Sequence, residues 1–189
     1  MARTKKQPRQ AVPTDVLQDP KRLHELLGLP GPYEPPPAPV PTKGFVTFWD
    51  CGISINELRR RKPDLFPLSD WLDGARFAKD SDSWKWREID PTPVGQDETF
   101  EEQAKKLPHG YGPPAARELV TYLVVRFLTT GERLEIPRLR TKDVMPSGRR
   151  VCVGPFRDSG LEVANVSDRW ASPGIALCRL FSPVVPPKK

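Results

Sequence analysis

The sequence predicts an α+β fold, an antiparallel sheet packed on a central helix with additional short helices, and three observations carry that expectation. Residues 113–130 form the longest apolar stretch with helical period, with Ala116, Leu119, Val120, Leu123, Val124, Phe127 and Leu128 in one broad arc. Beyond Gly131 the apolar period shortens to two, as strands require. Between 44 and 112, short runs with helix-start signals alternate with aromatic, β-branched runs. The chain divides accordingly into a basic arm (1–12), an N-terminal helix (13–28), a proline-rich spacer (29–43), one α+β domain (44–182) and a tail (183–189).

The arm holds Arg3, Lys5, Lys6 and Arg9 with no acidic residue, and reads as a solvated segment. A short amphipathic helix is expected from Thr14 to Gly28, with Thr14 or Asp15 as N-cap. Pro20 interrupts it, so either the helix is two pieces or it starts at Asp19, the tidier opening, with Pro20 in the first helical position, where its missing N–H costs nothing. Residues 29–43 contain seven prolines, a composition that favours extended polyproline II laid over the surface as a spacer. The run 45–49 reads as a strand, turned by Asp50-Cys51-Gly52. Ser54 and Glu57 have capping-box spacing for a helix that Pro63 stops. A helix over 69–79, a polar loop over 80–83 and an edge strand from Trp84 to Arg87 follow. Pro91, Pro93 and Gly95 make 90–97 a loop. Thr99 and Glu102 then open a helix that Pro108 ends.

On the 113–130 helix, Pro113 and Pro114 occupy the first turn and Gly131 the C-terminal stop. Arg117, Glu118, Thr121, Arg126 and Thr129 fall opposite its apolar arc, and the absence of His, Cys, Asp or Asn from that arc makes the helix scaffold. An extended segment begins at Leu134 and Ile136, and strands over 151–156 and 161–166 flank the turn 157–160. The last strand, 174–181, is apolar on both faces and therefore interior. Arg179 within it calls for a buried ion pair with Glu135, Asp143, Glu162 or Asp168.

From Trp84 to Phe181 a string of segments is distinctive: the Trp/Arg strand, Thr99-Phe100-Glu101-Glu102-Gln103, the helix ending in Thr130-Gly131-Glu132-Arg133, Arg140-Thr141-Lys142-Asp143-Val144, the strand over 150–154, and Gly160-Leu161. In that order they resemble a group of uncharacterised bacterial proteins over about half of the chain. The resemblance implies no activity, cofactor or partner.

A net charge of +6 and a pI near 9.4 favour anionic partners, either nucleic acid or an acidic protein surface. Three dispersed cysteines, Cys51, Cys152 and Cys178, form no disulfide framework and suit a reducing cytoplasm. No apolar run approaches the about 18 residues of a membrane span, and no secretory signal follows the basic start. Two histidines 85 residues apart offer no metal spacing. Neither phosphate-cradling glycine motif is present, so no cofactor is expected.

For chemistry, Cys51 stands between a strand and a helix start, where a thiol can be activated, and His109 in a glycine-rich loop is the one base that could reach it. That pair would make a small hydrolase or transferase. The leading expectation is a non-enzymatic binding module. Arg138, Arg140, Lys142, Arg149, Arg150 and Arg157, on strands and their turns, would contact phosphates, with Trp84, Trp86 and Trp170 as stacking surfaces. The plainer role of those cations is to keep an exposed sheet soluble, and a protein-only adaptor is a third reading.

Overall fold

The computed structural model describes residues 19–30, 34–67, 70–168 and 173–179, excluding the side chain of Arg179. The arm, the tail, residues 13–18 of the N-terminal helix, Trp170 and the expected ion pair of Arg179 lie outside them. Five α-helices and seven strands occur among the described residues: α1 (Pro20–Leu27), β1 (Val46–Asp50), α2 (Ile55–Arg61), α3 (Trp71–Gly74), β2 (Lys85–Val94), α4 (Phe100–Lys105), β3 (Tyr111–Gly112), α5 (Ala116–Thr130), β4 (Leu139–Val144), β5 (Arg150–Arg157), β6 (Gly160–Val166) and β7 (Gly174–Arg179).

The fold is α+β, built on one curled sheet of order β1-β2-β7-β4-β5-β6, with β3 also paired to β7. The sheet is mixed, which corrects the antiparallel expectation. β4 and β7 run parallel, Leu139 opposite Gly174 and Arg140 opposite Ile175, while the remaining pairs are antiparallel. The parallel pair arises because the chain leaves β4, forms the β5–β6 hairpin beyond it, and returns to β4's other side. β7 is interior, with β2 on one side and β3 and β4 on the other.

Local sequence explains the helix ends. Asp19 accepts the Arg22 N–H at 2.9 Å with Pro20 first in α1, and Gly28 ends it in the left-handed region at φ 63°. The Thr99/Glu102 capping box is present in α4. Three expectations need correction. Residues 71–78 do not form one helix: α3 ends at Gly74, Ala75 is extended, and a 3₁₀ turn follows over Arg76–Ala78. β2 continues through Pro91 and Pro93, its ladder with β7 broken between Asp90 and Val94, so no proline N–H is called upon. The edge strand is β1, so β2 is the second strand in. Leu134 and Ile136 lie in an irregular connection before β4.

Helix α5 starts at Ala116 and packs against β1, β4 and β5 and against α1 and α2. Its polar side is buried too: Arg117, Glu118, Thr121 and Arg126 are all at most 6% exposed. Residues 34–42 of the spacer lie against β2, where the Trp86 indole donates to the Pro36 carbonyl at 2.8 Å and Thr42 donates twice to Glu88. Among the described residues no helix is long and apolar enough to cross a membrane.

Candidate functional site

The six cations expected to meet phosphates are distributed over four environments. Arg150 and Arg157 open and close β5, about 23 Å apart at strand rise. At the Arg150 end, its guanidinium grips Asp168 at 2.7 and 2.9 Å and lies 3.4 Å above the Phe100 ring. Lys142 and Arg149 are exposed nearby, Arg149 donating to Asn165 at 3.2 Å. At the other end Arg157 is exposed and lines an open cavity of about 520 Å³ with Arg133, Glu135, Ile136, Pro155, Phe156 and Asp158. Arg133 is occupied there, paired with Asp158 at 2.6 Å and lying over Phe127 and Phe156. Arg138, between the two ends, pairs with Glu162. Arg140 is inside the protein, 0% exposed.

Cys51 and His109 are placed differently from what nucleophilic chemistry requires. Cys51 is wholly buried at the end of β1, and burial, reinforced by the Asp50 charge, pushes its thiol far above the ordinary range. An attacking thiol needs the reverse shift. His109 is exposed in the turn before β3. Cys152 and Cys178 are also buried, each pushed up to about 12, chiefly by burial. Among the described residues no group of three or more His, Cys, Asp or Glu side chains is placed to hold a metal ion.

A charged cluster that sequence reasoning missed sits where β1, β2 and the start of α5 meet. Asp50, 0% exposed, accepts from both Arg117 terminal nitrogens at 2.6 and 2.8 Å, from Arg87 Nε at 3.2 Å and from the Gly52 N–H at 2.9 Å. Arg87 Nη2 also reaches Asp82 at 2.7 Å and Glu118 at 2.8 Å, and Lys85 joins Asp82 at 2.6 Å. Three carboxylates thus meet three cations, and the set is neutral. Burial works against the Arg117 charge, but the Asp50 hydrogen bonds and charge prevail and hold the guanidinium more firmly protonated. Burial likewise opposes ionisation of Asp82, yet the Lys85 and Ser83 hydrogen bonds and the Lys85 and Arg87 charges bring it down to about 2. Every carboxylate here is occupied by an arginine or lysine, so the cluster acts as a clamp with no free base to offer a substrate. The one sequence signal was adjacency: Asp50 ends an aromatic strand, and Arg117-Glu118 open the most apolar helix.

Comparison with protein-family models, with curated proteins and with solved structures yields no match.

Proposed function

We propose that the protein is a non-enzymatic binding module that associates with nucleic acid through the phosphate backbone. The observation that carries this reading is where the surplus positive charge resides. Arg3, Lys5, Lys6 and Arg9 contribute four charges and Lys188 and Lys189 two, which leaves residues 10–187 with 24 cations and 24 anions. Inside the fold Arg87, Arg117, Arg138 and Arg150 are taken by carboxylates. Contact with phosphate therefore falls to the arm, with Lys142, Arg149 and Arg157 as exposed secondary contacts. Attraction of this kind is strong at low salt and indifferent to base sequence. The cysteine hydrolase alternative has no comparable support, because Cys51 is buried and its thiol is held protonated.

The test is equilibrium binding of the full chain to a labelled DNA duplex between 50 and 300 mM salt, with log K plotted against log salt. A linear fall is expected, and replacing Arg3, Lys5, Lys6 and Arg9 by Gln should flatten it by about 3 to 4 units, at roughly 0.9 per phosphate contact. No binding at 50 mM salt removes the reading. Equal competition by polyglutamate at matched charge would redirect it to an acidic protein surface.

A further inference from the structure

Arg140 differs from every other buried cation described above. On β4 it lies beneath α4 and the start of β7, and its Nη1 donates to the Glu98 carbonyl at 2.9 Å, to Gln103 Oε1 at 2.9 Å and to the Pro173 carbonyl at 3.0 Å. Gln103, itself buried, donates in turn to the Gly95 and Pro173 carbonyls. These contacts use one nitrogen. Nε and Nη2, which form the side-on edge of the guanidinium, are buried with no hydrogen-bond partner among the described residues.

Among the described residues no carboxylate is paired with this charge. Asp168 is close enough to act on Arg140 through space but is held by both arms of Arg150. Glu162 is paired with Arg138, and Glu98 meets Lys106 through Oε1, while its buried Oε2 has no hydrogen-bond partner among the described residues and none to Arg140. Cys152, opposite Arg140 in the ladder, is a neutral thiol. Of the chain's 24 acidic residues, only Asp15 lies outside the described residues. A buried lysine in this position would shed its proton, but a guanidinium stays charged in proteins, so that relief is closed to Arg140. An uncompensated interior charge is costly, and the remaining remedy is an anion from outside.

We propose that the side-on edge of Arg140, under α4, is an oxyanion site that takes one phosphate or carboxylate group as a resident counter-ion. The Nε/Nη2 edge presents two parallel N–H groups at the spacing of two oxygens on one phosphorus or carbon, which is the geometry of bidentate recognition. Arg138 and Arg150 lie on the same stretch of sheet, but each has its own carboxylate, Glu162 and Asp168, so Arg140 is the cation left without one there. The site is independent of the arm and of any nucleic-acid binding.

The experiment measures the thermal midpoint of the full chain in phosphate, in acetate and in chloride at matched ionic strength, for wild type, Arg140→Gln and Arg140→Lys. Wild type should rise with phosphate or with acetate, and whichever anion acts identifies the class. The rise should be on the order of 5–10 °C over two decades of anion above its Kd. Arg140→Lys loses the side-on edge and, buried, its proton as well, so its response should be abolished, as should that of Arg140→Gln. A wild-type midpoint that moves no more than in chloride, or a rise that both variants share, overturns the proposal. Should neither variant fold, native mass spectrometry of wild type decides: one retained phosphate or acetate per chain upholds the site, and none, or a ladder of several, removes it. Replacing Arg3, Lys5, Lys6 and Arg9 by Gln should leave the response intact, which separates this site from the arm.

Discussion

Asp50 is the residue on which most of the buried charge converges, with four hydrogen bonds and two arginines depending on it. Changing it to Asn keeps the shape but leaves Arg117 buried beside a neutral amide. Loss of one partner from such a pair costs about 3–5 kcal/mol, and urea unfolding should show a loss of that size for Asp50→Asn. The double variant Asp50→Leu with Arg117→Met should lose less than the two single changes together, because neither charge is then stranded. The sequence hid this arrangement for a physical reason. Helical periodicity assigns Arg117 and Glu118 to the side away from the apolar arc, and a side away from apolar residues is ordinarily wet. Here the partner of Arg117 is 67 residues distant. No local pattern records that a strand ending in Asp50 will arrive there.

Among the elements, α5 depends on a cap that comes from another part of the chain. Asp143 in β4 accepts the Ala116 N–H at 2.5 Å, and the Glu118 carboxylate folds back to the Ala115 N–H at 2.8 Å. Burial raises the Asp143 carboxyl above the usual range. The folded state therefore holds that proton more tightly than the unfolded state, so the ionised side chain weakens the fold increasingly as pH rises from about 4 through the raised value. Asp143→Asn retains an accepting oxygen without the charge, and its stability relative to wild type should climb over that pH interval and then level off. Asp143→Ala loses the acceptor and should cost about 1 kcal/mol at low pH. Chemical unfolding at pH 3, 5 and 7 gives both comparisons. The shorter elements were legible where their signals are local: Asp19-Pro20 and Gly28 bound α1, and Thr99 with Glu102 opens α4. Where the deciding contact is distant the local signal failed, as in β2, which continues past two prolines because Val94 beyond them pairs again with Ile175 of β7.

For the molecule as a whole, the α+β class followed from the change of period at Gly131, but strand order did not, since a period of two is the same in parallel and antiparallel ladders. Its three thiols report on the intact fold. Cys51, Cys152 and Cys178 are each at most 3% exposed and held protonated, so a thiol reagent at pH 8 should find almost none in the native protein and three per chain in guanidinium. Fast reaction of one thiol under native conditions would mean that its part of the sheet opens on its own. The position of β7 has a consequence for how the molecule is made. It is the last of the described strands, yet it stitches β1–β2 to β4–β5–β6. A ribosome therefore delivers two half-sheets with bare seams, and the keystone that closes both arrives only after everything it joins.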